Sequence, residues 1–225
     1  MKHLKTYQLF EARTELTKEQ EAFLDRYTEG TWTYNPATGL VDVKGDFDCS
    51  YEKLKDLKGV RFGKVNGRFY CRNNELTSLE GAPQEVGWNF DCRNNELTSL
   101  AGGPQKVGVD FRCQYNKLTS LKGAPQKVGG DFKCDAFVLS EGDWNLKGWL
   151  KVLREGSPKA QKLISTILSV EELNKEIQKD PAGMVMKLKG IWNDEVFKEI
   201  RDKLVWPKGY AEEADLVGDL DDVGF

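Results

Sequence analysis

The chain has 225 residues, a net charge of −3 and a charged fraction of 31%. A general nucleic-acid-binding protein carries an excess of basic residues to neutralise phosphates, so this balance argues against one. The sequence contains no run of 18 apolar residues, which argues against a membrane span, and its single histidine, His3, leaves little scope for histidine catalysis or zinc binding. The first residues lack an apolar core of signal-peptide length, so we expect a cytoplasmic protein.

Residues 1–45 are predicted to form an N-terminal arm and cap. Thr17-Lys-Glu-Gln20 has the spacing of a helix capping box, and the helix that it starts is expected to end at Gly30. Residues 31–35 and 40–43 then alternate apolar and polar side chains around a Pro/Gly-containing turn, which is typical of a β-hairpin. We expect this unit to cover the first coil of the repeats that follow.

The first thirteen residues allow another interpretation of the arm. They read Met-Lys-His-Leu-Lys-Thr-Tyr-Gln-Leu-Phe-Glu-Ala-Arg. This resembles the capsid-targeting peptides of internal head proteins in large tailed bacteriophages, although here extra residues precede the Lys-Thr-Tyr-Gln match. The protease of that family cuts after Leu/Ile-x-Glu, so the resemblance implies a phage or prophage protein packaged in the virion head and processed between Glu11 and Ala12.

Residues 46–143 contain a repeat. The five cysteines, Cys49, Cys71, Cys92, Cys113 and Cys134, are spaced by 22, 21, 21 and 21 residues. A Phe precedes each cysteine by two positions, which is strand alternation, and a Leu follows each by five. Gly and Pro mark turns further along each period. A fixed period of this length predicts a solenoid.

The repeat resembles the short bacterial leucine-rich repeats of the IpaH and YopM effectors, which read Asn-x-Leu-Thr-Ser-Leu-Pro-x-x-Pro. Here Asn95-Glu-Leu-Thr-Ser-Leu100 and its equivalents match, while Glu, Ala or Lys replaces the first Pro. The resemblance implies an α/β leucine-rich repeat solenoid of about five short parallel strands, with an N-terminal helix-plus-hairpin cap and a C-terminal helical cap.

Two columns of the repeat are expected to face inward. Asn74, Asn95 and Asn116 come three residues after a cysteine, where the chain leaves the strand. A buried amide must be hydrogen-bonded, so we predict a ladder of asparagines that bonds the backbone of neighbouring coils. The cysteines form a row rather than a cage and lack the Cys-x2-4-Cys spacing of zinc sites, so we predict core packing instead of a metal or redox site, and no cofactor.

The outward residues beside the cysteines are predicted to form the binding surface. Arginine and tyrosine are the side chains that most often anchor interfaces, and several of them meet in the middle coils. The candidate partner-binding residues are Arg68, Tyr70, Arg72, Asp91, Arg93, Arg112 and Tyr115. An ordinary solvated face of mixed charge is the alternative.

After the repeats the periodicity becomes helical. In residues 144–209 we predict several helices, one of them starting at the N-cap Ser157 with Pro158 in its first turn, one from Ala182 to Trp192 and one from Asp194 to Leu204. This region is expected to close the far end of the solenoid, with an independent binding role as the alternative. The tail, 210–225, has six acids and no base, and is either a docking peptide or a segment that is disordered or packed on its own domain.

Three classes of function are considered: an enzyme, an interaction scaffold and a packaged virion protein. IpaH effectors join such repeats to a cysteine-based ubiquitin ligase domain, but the roughly eighty residues after these repeats hold no cysteine, and no nucleophile–base constellation is visible. We therefore predict a non-enzymatic, monomeric interaction scaffold that binds a protein partner, without nucleic acid or membrane. A packaged virion protein is the alternative.

Overall fold

The computed structural model describes residues 15–188 and 200–210, which form a parallel-strand solenoid of about four turns together with several helices. The predicted processing site at Glu11 and Ala12 lies outside the described residues. So does most of the acidic tail and the greater part of the helix predicted from Asp194 to Leu204.

The N-terminal unit is a helix followed directly by a hairpin. Helix α1 (Lys18–Tyr27) begins at Thr17, whose hydroxyl accepts the N–H of Gln20 while the Gln20 side chain accepts the N–H of Thr17, so the predicted capping box is confirmed. The helix ends at Tyr27 rather than near Gly30, because strand β1 (Thr28–Asn35) follows at once and pairs antiparallel with β2 (Leu40–Asp48).

Two stacks of short parallel strands run through the solenoid. Each coil has two short strands separated by a bend. We call the strand before the bend the rear strand. The strand after the bend, which begins with Phe69, Phe90, Phe111 or Phe132, is the front strand. The rear strands are β3 (Phe62–Val65), β5 (Glu85–Val86), β7 (Lys106–Val107) and β9 (Lys127–Val128). The front strands are β4 (Phe69–Tyr70), β6 (Phe90–Asp91), β8 (Phe111–Arg112) and β10 (Phe132–Lys133). Strand β2 pairs in parallel with both β3 and β4, so the hairpin and the repeats share one strand.

Each coil bends between its rear and front strand at a glycine that permits close stacking. A Cβ atom on Gly108 would collide with the carbonyl oxygen of Gly87, and one on Gly129 would collide with that of Gly108. The backbone bonds continue through the bend, with Gly108 N donating to Val86 O at 2.9 Å and Gly129 N donating to Val107 O at 3.0 Å. Glycine is therefore required here by the approach of neighbouring coils.

A column of phenylalanine rings fills the middle of the core. Phe69, Phe90 and Phe111 are fully buried, and their ring centroids stack at 5.6 and 5.2 Å with interplanar angles of 6° and 11°. The column continues to Phe47 at one end and to Phe132 at the other. Because the front strands pair Phe with Phe in register, the side chains stack as the coils do.

Both ends of the phenylalanine column meet a further aromatic side chain. Phe23 of α1 packs against Phe47 at a centroid distance of 5.5 Å. Trp144 lies flat on Phe132 at 3.7 Å, and its indole N–H donates to the carbonyl of Pro125 at 2.8 Å. The core is thus continuous from α1, through the coils, to the residues that precede the next helix.

The last coil departs from the repeat. Leu139 occupies the leucine position in the sequence period, and it is buried, but it lies in β11 (Val138–Leu139), which pairs antiparallel with β10. Phe137 stands where earlier coils have the inward asparagine, and the chain turns back there, with Cys134 N donating to Phe137 O at 3.0 Å. Leu139 therefore keeps the buried leucine of the period, while its strand runs antiparallel to β10 instead of continuing the parallel stack.

Helices follow the solenoid. They are α2 (Leu146–Glu155), α3 (Pro158–Ser165), α4 (Val170–Lys179) and α5 (Pro181–Leu188). Ser157 accepts the N–H of Ala160 and Pro158 opens α3, as predicted. Thr166, which ends α3, accepts the N–H of Leu121 at 2.9 Å and so ties this helix to the last full coil. No helix in the described ranges is long and apolar enough to cross a bilayer.

Candidate functional site: the open face of the front strands

The front strands place one residue of each pair in the core and the other outside. Phenylalanine points inward, and the residue after it stands in register with its equivalents in neighbouring coils. This outward column consists of Asp48, Tyr70, Asp91, Arg112 and Lys133. The position after each cysteine forms a second column, of Ser50, Arg72, Arg93, Gln114 and Asp135. We call the surface formed by these two columns and their flanks the front face.

An asparagine ladder fixes the backbone at the end of the front strands. The Asn95 amide donates to the carbonyls of Cys71 at 3.0 Å and Cys92 at 3.1 Å, and its Oδ1 accepts the N–H of Leu76 at 3.0 Å. Asn74 and Asn116 make the same pattern of bonds one coil before and after. The predicted ladder is confirmed, and it sets the direction in which the second column leaves the strand.

Asp91 lies at the centre of the front face, but it is 1% exposed. Its carboxylate accepts Arg93 Nε at 2.9 and 3.1 Å and Arg93 Nη2 at 2.8 Å, which is a bidentate pair. Arg72 from the preceding coil approaches the same carboxylate at 3.8 Å. Asp91 was predicted as a contact residue for a partner, whereas its burial makes it the support that positions two arginines.

Groups on both sides of the front face affect the pKa of Arg93. The pKa of its guanidinium is raised above the ordinary value, chiefly by the hydrogen bonds to Asp91, while burial opposes the rise. Tyr51 and Tyr115 add smaller contributions in the same direction, so both phenol groups lie near enough to act on it. Arg93 therefore stays charged in every ordinary buffer.

Arg112 is held by the carboxylate of Asp110. Its Nη2 donates to Asp110 Oδ2 at 2.7 Å, and Lys133 approaches the same oxygen at 3.7 Å. Burial tends to raise the pKa of Asp110, but the bond from the Asp131 N–H, the bond from Arg112 and the charge of Lys133 together lower it. Asp110 also links coils, since its Oδ1 accepts that Asp131 N–H at 3.0 Å.

Two tyrosines project from the front face with left-handed backbones. Tyr51 has φ 66° and an exposed fraction of 67%, and Tyr115 has φ 58° and an exposed fraction of 66%. The equivalent residues of the two coils between them are Asn73 and Asn94, with φ 54° and 51°. Asparagine adopts this region readily, whereas a bulky side chain there costs about 1–2 kcal/mol. Tyr51 was missed in the sequence because the second position after each cysteine was not compared between coils.

Arg68 lies at the edge of the face beside a tryptophan that was also missed. Its guanidinium sits over the Trp88 ring at 5.6 Å from the centroid, and it approaches Asp46 at 3.9 Å. Trp88 is 53% exposed, although it occupies the bend between a rear and a front strand. The signal for it in the sequence was a tryptophan directly after the bend glycine Gly87.

Arg72 is framed by aromatic rings. Its guanidinium carbon lies 5.7 Å from the Tyr51 centroid and 5.4 Å from that of Tyr70. The structure thus brings six of the seven predicted contact residues into one surface around Asp91, from Arg68 at one edge to Tyr115 at the other. Arginine over an aromatic ring is a common feature of binding surfaces.

Unpartnered polar atoms concentrate on the front face. Within residues 15–188 and 200–210, six buried side-chain nitrogen or oxygen atoms have no hydrogen-bond partner. Four of them belong to the two face columns: Ser50 Oγ, Arg72 Nε, Arg112 Nε and Gln114 Oε1. Buried polar groups are nearly always hydrogen-bonded, so these four atoms are exceptions that contacts within the chain leave unsatisfied.

The cysteines lie behind the face in the core. All five are free and buried, and burial raises the pKa of the Cys49 thiol to about 12 and those of Cys71, Cys92 and Cys113 well above the ordinary value. A protonated buried thiol is a poor nucleophile and a poor metal ligand. In the described part of the chain, no group of three or more His, Cys, Asp or Glu side chains is arranged to hold a metal ion.

A cavity of about 430 Å³ lies away from the front face, between the last full coil and the first helices behind it. Trp144, Trp149 and Ile167 line it together with the turn around Pro125, and Lys122 is the only titratable residue in its lining. The cavity therefore offers no acid–base pair for catalysis.

No protein-family model matches this chain. A comparison with characterised proteins and one with solved structures likewise gave no significant match.

Proposed function

We propose that this chain is a leucine-rich-repeat scaffold that binds a protein partner on its front face and has no catalytic role. Helix α1 with its hairpin and the helices that follow Trp144 serve as the end caps. Their aromatic contacts with the first and last rings of the phenylalanine column support this, because an uncapped solenoid would expose core side chains.

The observation that carries the proposal is the pair of exposed left-handed tyrosines. Tyr51 and Tyr115 occupy positions where the two middle coils carry Asn73 and Asn94, which suit that backbone better. A bulky residue in a strained conformation is retained when it serves a function other than stability. Both rings flank Arg72 and Arg93, and tyrosine beside arginine is the composition of interface hot spots.

The test uses the double variant Tyr51→Asn/Tyr115→Asn. It converts both positions to the residue of the middle coils, so we expect a stable fold with loss of at least about 2 kcal/mol of partner affinity, or roughly thirtyfold. Tagged wild type and variant would be used to capture partners from a lysate of the source cell, followed by mass spectrometry and affinity measurement with the captured protein.

The matched control is Met186→Gln, which removes a side chain that is 67% exposed on α5. A partner that binds wild type and the control but not the tyrosine variant supports the proposal. It fails if wild type retains no specific partner, or if the tyrosine variant binds as well as the control. Charge reversal at Arg93 would be a poorer test, because it would remove the bidentate partner of the buried Asp91 and place a second acid beside it.

The resemblance of the first residues to capsid-targeting peptides supports a second candidate, a packaged phage protein. In that case the scaffold would reach its partner after delivery into a host cell, and before that it would reside in the virion head. Peptide mapping of the protein from mature particles decides this: an N-terminus at Ala12 is the expected result, and an intact bond between Glu11 and Ala12 contradicts it.

A further inference from the structure

The arginines of the front face differ in how their charge is satisfied. In the coil of β6, Arg93 stands two residues after Asp91 and forms a bidentate pair with it. In the coil of β8, Arg112 stands two residues after Asp110 and donates to its carboxylate. Both arginines thus have a carboxylate from their own coil.

Arg72 lacks that carboxylate. The register places Tyr70 at the position that Asp91 occupies in the next coil, so the residue two before Arg72 is a tyrosine. Arg72 approaches the carboxylate of Asp91 at 3.8 Å, but both oxygens of that carboxylate already accept hydrogen bonds from Arg93. The Arg72 Nε is buried and has no partner, while the side chain as a whole is 32% exposed.

We propose that Arg72 is the anchor for a carboxylate side chain of the protein partner, held between the rings of Tyr51 and Tyr70. This rests on the proposed function, since it names the chemistry that the same face recognises. A guanidinium matches a carboxylate with two parallel hydrogen bonds, and the flanking rings exclude water and strengthen them.

The neighbouring unpartnered atoms indicate an extended peptide around that carboxylate. Gln114 and Ser50 are half-buried, and their unpartnered Oε1 and Oγ atoms can bond a peptide group once these side chains turn outward. These two residues lie in the same column as Arg72, two coils after it and one coil before it. A segment crossing the coils would meet the arginine in its middle and polar contacts on both sides.

The charge at the ends of the face favours a peptide with one carboxylate over a nucleic acid. Asp46 and Asp48 stand in the first coil and Asp131 and Asp135 in the last, so a polyanion that follows the columns would meet acids at both ends. Nucleic-acid binding needs a continuous basic track for successive phosphates. A single carboxylate in an otherwise uncharged segment fits the central arginine without this repulsion.

The experiment is selection of binders from a displayed random 12-residue peptide library on the full chain. Three targets are compared: wild type, Arg72→Gln and the matched control Arg61→Gln, which removes an exposed arginine eleven positions earlier in the same coil. We expect peptides selected on wild type and on Arg61→Gln to be enriched in Asp or Glu at one fixed position, and the best of them to bind Arg72→Gln about tenfold more weakly.

The proposal is overturned if no peptide is selected, if selected peptides show no fixed acid, or if their affinity is equal for Arg72→Gln and Arg61→Gln. It is also overturned if a single-stranded oligonucleotide binds wild type more tightly than the selected peptides and loses affinity in Arg72→Gln. A protein partner that depends on Tyr51 and Tyr115 but not on Arg72 would leave the scaffold function standing and remove the carboxylate anchor.

Discussion

Replacing Asn95 with alanine isolates the contribution of the ladder to stability. The Cys71 carbonyl also accepts from Asn74 at 3.0 Å, and the Cys92 carbonyl also accepts from Asn116 at 3.0 Å, so both acceptors keep a partner in the variant. The Leu76 N–H loses its acceptor, the Asn95 oxygen. Asn95 is only 5% exposed, so water cannot easily take the place of that oxygen. One buried donor without a partner costs about 1–3 kcal/mol.

The first asparagine of the ladder should cost more than the middle one. Asn74 Oδ1 accepts two backbone N–H groups, from Glu52 at 3.0 Å and from Leu54 at 2.9 Å, so Asn74→Ala leaves two donors unpaired. We therefore expect the free energy of unfolding to fall by about 1–3 kcal/mol more than in Asn95→Ala.

Urea unfolding followed by circular dichroism measures both effects, and thermal unfolding gives a second reading. A loss of about 2 kcal/mol corresponds to a midpoint about 4–8 °C lower for a chain of this size. The matched control is Asn66→Ala, at an exposed asparagine in the bend before β4, which should change stability by less than about 0.5 kcal/mol. If Asn95→Ala melts like that control, or if Asn74→Ala is the milder variant, the ladder does not stabilise the coils in this way.

Three further outcomes are expected. Phe90→Ala empties the middle of the ring column and should lower the free energy of unfolding by about 3–5 kcal/mol; a loss under about 1 kcal/mol in urea unfolding would contradict the packing. Trp144→Phe keeps the aromatic contact but removes the indole bond to Pro125, and should cost about 0.5–1.5 kcal/mol by the same assay. The raised folded pKa of Cys49, about 12 against 9.0 for a free thiol, predicts stability that is fully present below pH 9 and declines as pH rises from 9 towards 12. Unfolding at pH 8 and pH 10 should show a smaller decline in Cys49→Ala than in wild type, and equal declines would refute the assignment.

The parts of the fold that repeat could be predicted from the sequence. Phe, Cys, Leu and Asn recur at one spacing, and each has a single physical role in every full coil, so the inward columns and the asparagine ladder follow directly. The rear strands were not predicted from the sequence, although Val86, Val107 and Val128 recur at the same spacing as the other inward residues. Two residues with one apolar side chain do not show strand alternation, and only pairing between coils reveals them.

Periodicity is insufficient where one coil depends on another. Leu139 matches the period, but a parallel strand needs a next coil to pair with, and in its absence the chain reverses and pairs with β10. Asp91 occupies an outward position of its strand, yet Arg93 from its own coil and Arg72 from the coil before cover it. Contacts of this kind depend on which side chains meet across coils, which periodicity does not encode.

Inward and outward residues of a coil have different roles, and this explains why the front face is informative about function. Phenylalanine fills the inward position in every front strand, while the next residue is in turn Asp48, Tyr70, Asp91, Arg112 and Lys133. Because the ladder and the ring column hold the backbone, the outward side chain changes from coil to coil while the backbone repeats. Strain is therefore unnecessary there, and the tyrosines with left-handed backbones at either side of Arg72 and Arg93 carry a cost that asparagine would avoid. Two exposed tyrosines that carry this cost on one face, beside its arginines, are the physical reason to assign binding to the front face.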